Sequence, residues 1–216
     1  MTPAPPSIAA YLMSCAERRA VRARTVANLA CTDWGAPPGV ALDREQYDDP
    51  KQRGSDTAHH LLELAMATRW DLLLFLEDDL EFNVHLRHAL EHWAPVAARS
   101  PAGHPFASLY NPGVDPLPAA AHGSTWFVAH PERSYGSQAY LVVRPTVAHV
   151  LEHGDDGRGY HDIRMTRLRG AGDTAALPPA VAGAAPRGAS TIGGVPHEAA
   201  DFDADWCPLV WPERRP

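Results

Sequence analysis

Cysteine and long apolar runs are both scarce in this chain of 216 residues. Its three cysteines, Cys15, Cys31 and Cys207, are odd in number and share no metal-ligand spacing, which indicates reduced thiols in a cytosolic protein. No run approaches the roughly 20 apolar residues that a membrane helix needs. Residues 1–6 lack positive charge, and the apolar piece at 8–13 is too short for a signal peptide. We therefore expect a cytoplasmic protein without a membrane span.

Lysine is also scarce, and the chain has no net positive charge. Lys51 is the only lysine among 19 basic residues, and the formal net charge is -7. That balance excludes a global attraction to nucleic acids or anionic membranes, although a local arginine patch stays open. We find no internal repeat and no second hydrophobic core, so we predict one domain over residues 1–216. Residues 1–7 are expected to form a flexible lead, and residues 186–216 a lid or tail.

An apolar run that ends in three adjacent acids is the strongest local signal. The run Leu72–Leu76 shows no alternation, which is typical of a strand buried on both faces of a parallel sheet. Glu77, Asp78 and Asp79 follow directly, and open parallel sheets bind ligands outside the carboxyl ends of their strands. A hard cation would relieve the repulsion among these carboxylates. The stretch predicts a metal site, with a solvated acidic turn as the alternative.

Strand and helix patterns alternate along the chain. In chain order, the predicted elements are a strand at 8–13, a helix at 17–29, a strand at 39–43, a loop at 44–54, a helix capped by Ser55 or Asp56, a strand at 72–76, a helix capped by Asn83, a strand at 106–110, a loop at 111–123, strands at 124–128 and 139–143, a helix beginning near Pro145, a short helix at 160–168, and a mostly irregular tail from Gly170. This order predicts an α/β fold with a doubly wound, mostly parallel central sheet and helices on both faces.

Four segments carry a family resemblance in the expected order. They are Ser14-Cys15-Ala16-Glu17-Arg18-Arg19, then Phe75-Leu76-Glu77-Asp78-Asp79, then Gly136-Ser137-Gln138-Ala139-Tyr140-Leu141-Val142, and last His161-Asp162-Ile163-Arg164 with Ala189-Ser190-Thr191-Ile192-Gly193. Together they resemble glycosyltransferases of the nucleotide-diphospho-sugar (GT-A) fold. The second segment is similar to the Leu-Glu-Asp-Asp motif of bacterial lipooligosaccharide and collagen sugar transferases. The resemblance covers residues 8–194 and implies metal-dependent transfer of a sugar from a nucleotide-diphosphate donor, with a UDP-sugar expected, to a hydroxyl acceptor.

The resemblance implies a cation, Mn²⁺ or Mg²⁺, at the acidic motif. Asp79 is the expected direct ligand, Glu77 contacts the ribose or the metal, and Asp78 orients the site. Because alternate residues of a strand share a face, Glu77 and Asp79 are expected to pair while Asp78 faces elsewhere. Related enzymes often supply a further His ligand near residues 181–187, where this chain has none. His197 is the nearest substitute for that ligand.

Donor binding is expected at the ends of the first two strands. Arginine is well shaped to clamp phosphate oxygens, so Arg18 and Arg19, beside Ser14, are candidate phosphate contacts. A solvated basic face is the alternative for either arginine. Asp43 ends the second strand and is a candidate contact for the base or ribose, with structural capping as the alternative.

The sugar and the acceptor involve later segments. Gly136, Ser137 and Gln138 are expected to line the sugar pocket, because glycine permits close backbone approach and glutamine can read hydroxyls. An inverting reaction needs a general base for the acceptor hydroxyl. Asp162 is the first candidate and His161 the weaker one. Asp162 at a helix N-terminus is the alternative interpretation, and a retaining outcome stays open.

Other functions stay open from the sequence. A nucleotidyltransferase would need a glycine-rich loop after the first strand, and a phosphohydrolase would need its aspartate pair there. A non-catalytic nucleotide-sugar-binding module is a further alternative. A saccharide is the expected acceptor, ahead of a hydroxylated nucleic-acid base or a protein side chain. Residues 44–54 and 186–206 are predicted lids that exclude water from the activated sugar.

Overall fold

A computed structural model describes residues 6–92, 106–109, 116–122, 126–129, 138–153, 161, 175–177 and 182–183. The described strands are β1 (Ile8–Ser14), β2 (Gly39–Leu42), β3 (Leu72–Leu76), β4 (Glu81–Phe82), β5 (Phe106–Ser108), β6 (Pro116–His122), β7 (Trp126–Ala129), β8 (Ala139–Val143), β9 (Ala175–Leu177) and β10 (Ala182–Gly183). The described helices are α1 (Arg19–Ala30), which follows a 3-10 turn at Ala16–Arg18, α2 (Pro50–Met66), α3 (Leu86–His92) and α4 (Arg144–His153). Within these residues, no helix is both long enough and apolar enough to cross a lipid bilayer.

The central sheet has the strand order β2-β1-β3-β8-β5-β9-β7-β6. Strands β2, β1 and β3 are parallel neighbours, and β8 pairs with β3 in the antiparallel direction. In this described sheet, only β7 and β8 run against the other strands. The predicted α/β fold with a mostly parallel central sheet is therefore confirmed, in a mixed form.

Strand β3 is covered on both faces, as its apolar run predicted. Leu74 and Leu76 pack into the core beneath α1 and α3, whereas Leu73 and Phe75 pack into the core beneath α2 and α4. All four side chains have no exposed surface. Alternate residues of a strand point to opposite faces, so one strand supplies both cores. Helices therefore cover both faces of the sheet, as predicted.

Helix α2 begins earlier than the sequence analysis predicted. We expected a loop over 44–54 and a cap at Ser55 or Asp56, but the helix begins at Pro50. The Asp49 carboxylate accepts a hydrogen bond from the backbone N–H two residues on, and proline suits the first helical position. The first helical turns are polar and lack an apolar face, so periodicity did not reveal them. The later part of the predicted 44–54 lid is therefore helical.

Strand β6 corrects a second prediction, the loop at 111–123. Pro116 and Pro118 made that segment resemble a loop, but β6 lies at the edge of the sheet and pairs with β7 alone. Proline is tolerated on an edge strand because the N–H groups on its open side need no ladder partner. The tail predicted from Gly170 likewise contains β9, inserted between β5 and β7, and β10, paired with β4.

Candidate functional site

The ends of β1 and β3 meet where the chain connections diverge. From β1 the chain passes through α1 to β2 on one side, and from β2 it returns through α2 to β3 on the other. The two helices pack on opposite faces, and open α/β sheets bind ligands in the crevice at such a point. Ser14 ends β1, and Asp78 lies just beyond the end of β3. The fold therefore places these two residues at a favoured ligand position.

Arg18 bridges two of the three acids in the motif. Its Nε donates a hydrogen bond to Asp78 Oδ1 at 2.7 Å, and its Nη2 donates to Asp79 Oδ2 at 2.8 Å. The three side chains are only 11%, 6% and 14% exposed. Burial opposes the charged guanidinium, but the two neighbouring carboxylates outweigh it and raise the pKa of Arg18. Two negative charges therefore share one positive charge in a partly shielded site.

The acid pair differs from the one that strand alternation predicted. Strand β3 ends at Leu76 and the chain bends at Asp78 and Asp79, so the alternation of faces stops before the motif. As a result Asp78 and Asp79 converge on Arg18, so Asp78 does not face away from Asp79 as expected, whereas the pairing of Glu77 with Asp79 stays a prediction. The Glu77 backbone N–H donates to the backbone oxygen of residue 138 at 2.8 Å.

Ser14 completes the polar cluster. Its hydroxyl donates to Asp78 Oδ2, and Arg22 Nη1 donates to Ser14 Oγ and to the Cys15 carbonyl, each at 3.0 Å. Burial raises the pKa of the Asp78 carboxyl, although the hydrogen bond from Ser14 and the charge of Arg18 act in the opposite direction. Asp78 is therefore held by several donors and is oriented before any ligand arrives.

Helix α1 also fixes the backbone of the acidic turn. The Thr25 hydroxyl donates to the Asp78 carbonyl at 2.6 Å and accepts from the Leu80 N–H at 3.2 Å. Asn28 Nδ2 donates to the Leu80 carbonyl at 3.3 Å. The sequence analysis did not assign Thr25 to the site. A signal existed, because a threonine on the buried face of a helix needs a hydrogen-bond partner.

Arg19 and Asp43 are the other two candidates for donor contacts near the ends of β1 and β2. The Arg19 side chain is exposed on the first turn of α1. Asp43 is almost fully buried, forms an ion pair with Arg53, and accepts the backbone N–H of Glu45 at 2.8 Å. Arg53 also donates to Glu17 at 3.1 Å. These contacts favour the structural interpretation of Asp43, as the anchor of the turn after β2.

Gln138 lies beside the motif, because its backbone oxygen accepts the Glu77 N–H. Its side-chain Oε1 is buried and makes no hydrogen bond with the described residues. A buried acceptor without a donor is unfavourable, so this atom is suited to a hydroxyl or amide that a ligand would bring. Its sequence neighbours Gly136 and Ser137 lie outside the described residues.

His161 is buried in an aromatic cluster. Its Nε2 lies 2.9 Å from the Tyr140 hydroxyl, and its ring stacks on Phe75 with a centroid distance of 5.1 Å. Burial, with a smaller contribution from the charge of Glu77, raises the pKa of Tyr140 well above its ordinary value. The hydroxyl of Tyr140 therefore stays protonated and can donate to His161. This environment favours a positioning role for His161. Asp162 lies outside the described residues.

The acid pair fits a hard cation as one part of a ligand set. Carboxylate oxygens are the ligands that Mg²⁺ and Mn²⁺ prefer. Asp79 Oδ1 forms no hydrogen bond with the described residues, whereas both oxygens of Asp78 are bound by Arg18 and Ser14. In the described part of the chain, no group of three or more His, Cys, Asp or Glu side chains is arranged to hold a metal. The proposed third ligand, His197, lies outside that part.

Fold and site together define an α/β protein with a carboxylate–arginine cluster at the crevice between β1 and β3. Comparison with protein-family models gives no match, and comparison with curated proteins gives none. Among solved structures, the chain is similar to the mannosyltransferase PcManGT from Pyrobaculum calidifontis, determined in complex with GDP-Man and Mn²⁺. The identity is 15%, the TM-score is 0.47, and the match covers 82% of this chain and 57% of that chain. This chain thus spans less than two thirds of the length of that structure.

Proposed function

We propose that this protein is a metal-dependent glycosyltransferase that moves a sugar from a nucleotide-diphosphate donor to a hydroxyl acceptor. The observation that supports this most is the convergence of Ser14, Arg18, Asp78 and Asp79 at the crevice between β1 and β3. A nucleotide diphosphate with its cation needs both phosphate donors and hard carboxylate ligands. The cluster offers both at a position where open sheets bind nucleotides.

We propose that the acidic motif Glu77–Asp79 forms the cation site. Asp79 is the direct ligand, because its Oδ1 forms no hydrogen bond with the described residues, and Asp78 orients the site through its bonds to Ser14 and Arg18. Glu77 contacts the ribose or supplies a second carboxylate oxygen to the cation. His197, in the C-terminal segment, supplies a further ligand. Mn²⁺ or Mg²⁺, when bound, supplies Lewis-acid stabilisation of charge on the diphosphate.

Two arginines form the phosphate side of the proposed site, and the turn after β2 forms its nucleoside side. Arg18 and Arg19 contact the diphosphate, with Ser14 supporting the turn between β1 and α1. Asp43 contributes to the nucleoside side by holding the turn at Glu45, which has a left-handed backbone with a φ of 55°. Such a conformation is uncommon for a residue other than glycine and is found preferentially at functional sites.

Gln138 reads the donor sugar, with Gly136 and Ser137 lining the same pocket. A sugar hydroxyl would donate to the buried Oε1 of Gln138, which makes no bond with the described residues. Asp162 then acts as the general base that takes the acceptor proton in an inverting reaction. His161, the neighbouring residue in sequence, has a positioning role, since its Nε2 lies 2.9 Å from the Tyr140 hydroxyl. A saccharide is the proposed acceptor, and a UDP-sugar the proposed donor.

A calorimetric titration with UDP- and GDP-sugars, with and without Mn²⁺, tests the proposal directly. We expect donor binding that needs the cation, followed by turnover when saccharide acceptors are supplied. Asp79→Ala should abolish the Mn²⁺-dependent binding while the unfolding midpoint is retained. Asp56→Ala is the matched control, because it also removes an aspartate paired with an arginine, Arg44. Wild-type metal-dependent binding by Asp79→Ala would contradict the proposal. Binding without turnover would identify a non-catalytic module.

The segment 186–206 is the proposed lid. Donor with Mn²⁺ should slow amide hydrogen exchange in this segment, and His197→Ala should weaken that protection. Closure would exclude water and limit hydrolysis of the activated sugar. Exchange that is the same with and without donor and cation would indicate a solvated tail instead.

A further inference from the structure

The guanidinium of Arg18 is bonded to the same two carboxylates that are proposed to bind a divalent cation. Asp78 and Asp79 bring two negative charges to one partly buried position, and the guanidinium of Arg18 supplies the positive charge that offsets one of them. It does so through two separate bonds, one to each carboxylate, at 2.7 and 2.8 Å. A planar guanidinium with donors in a fixed fork suits such a bridge. The carboxylates proposed for the cation are thus already paired inside the chain.

We propose that Arg18 is an internal counter-cation that must release Asp79 before a divalent cation binds, and that the released guanidinium then takes the donor diphosphate. This inference rests on the proposed function, because it concerns the order in which donor and cation enter that site. It assigns Arg18 two alternating partners, the acid pair in the ligand-free protein and the phosphates in the loaded protein.

The charges explain why the exchange is coupled. A divalent cation at Asp79 repels the guanidinium, and Arg18 is only 11% exposed, so water cannot fully replace its bond to Asp79. Breaking an ion pair in a partly buried place is costly. A diphosphate beside the guanidinium would offset that cost with its own negative charge. Cation and diphosphate should therefore each bind weakly alone and strengthen one another reciprocally.

The start of α1 is next to Arg18 in sequence, and it can attract the diphosphate that the released guanidinium would bind. Arg18 is the residue that precedes the 12-residue helix α1, and its side chain makes no capping hydrogen bond to that helix. The first turn of α1 carries no acidic residue. The N-terminal end of a helix is positively polarised and attracts phosphate groups. Glu17, in the 3-10 turn before α1, opposes this attraction, so Arg18 is the main phosphate contact in the proposal.

Mn²⁺ affinity measured without any donor tests the first half of the exchange. Arg18→Gln should bind Mn²⁺ about tenfold more tightly than the wild type, because the competing charge is gone. Arg22→Gln is the matched control, since Arg22 lies on the same helix but bonds Ser14 and the Cys15 carbonyl rather than a carboxylate. It should change the affinity by less. Equal effects of the two variants, or unchanged or weaker Mn²⁺ binding by Arg18→Gln, would overturn the inference.

Nucleoside diphosphates, UDP and GDP, test the second half. Arg18→Gln should bind them less tightly than the wild type at saturating Mg²⁺, because the phosphates lose a guanidinium. If the wild type binds neither Mn²⁺ nor a diphosphate, the proposed function and this inference both fail. If the wild type binds both and Arg18→Gln behaves like Arg22→Gln, this inference alone fails.

A measurement on the wild type covers the case in which Arg18→Gln does not fold. The Nε–H and Nη–H signals of Arg18, followed by nitrogen-15 NMR with side-chain assignment, report on its bonds to Asp78 and Asp79. Mg²⁺ with UDP should shift the Nη–H signal. A signal that stays unchanged while the same ligands shift backbone signals of the acidic turn would overturn the inference.

Discussion

Replacing Thr25 by valine removes one hydroxyl from beneath the acidic turn and keeps a side chain of similar shape. That hydroxyl links the Asp78 carbonyl to the Leu80 N–H, and Thr25 is only 1% exposed. Each backbone group left without a partner in a buried place costs roughly 1–3 kcal/mol. We therefore expect Thr25→Val to lower the free energy of unfolding by at least about 2 kcal/mol, from the two orphaned groups. For a chain of this size that corresponds to a fall in Tm of about 4–8 °C.

Urea unfolding measures the stability, and an Mn²⁺ titration of the same variant measures the effect on the site. Thr25→Ser is the control, because it keeps the hydroxyl and loses only one methyl group. That loss should lower the free energy of unfolding by about 1 kcal/mol. If the turn orients Asp78 and Asp79, Thr25→Val should also bind Mn²⁺ more weakly than Thr25→Ser. Equal stability of the two variants would refute the argument that the hydroxyl holds the turn.

Three further predictions concern the sheet, a helix end and the donor pocket. Gly39→Ala should lower stability by about 1–3 kcal/mol in urea unfolding, because a Cβ there would lie 2.5 Å from the Tyr11 ring; wild-type stability would show that the ring moves freely. Arg144→Ala should cost about 1.5–3 kcal/mol by the same assay. Its guanidinium donates to two carbonyls at the end of α2, each at 2.7 Å, and lies 5.2 Å from the Trp70 ring, so full recovery by Arg144→Lys would contradict this reasoning. Gln138→Ala should change the ratio of kcat/KM between donor sugars more than it changes nucleotide affinity, and identical ratios would count against the pocket role.

Local pattern predicted the first half of the fold well, and each success has a physical reason. The run Leu72–Leu76 is uniformly apolar because β3 is covered on both faces, and uniform burial leaves a visible pattern in sequence. Pro116 and Pro118 made β6 resemble a loop, because proline disfavours a central strand yet is tolerated at an edge. Whether a strand is central or at the edge depends on its neighbours in the sheet, and these are set by distant parts of the chain.

The candidate site could also be predicted from the sequence only in part. The sequence by itself determined that acids follow a buried strand, since that adjacency is local. Only the tertiary structure decided that Asp78 and Asp79 form the pair, that Arg18 bridges them from 60 and 61 residues away, and that Thr25 holds their backbone from α1. Both the bend that ends strand alternation and the contacts between residues some 60 positions apart arise from the packing of α1 against β3. Periodicity records which residues are buried, but it does not record which buried residues meet.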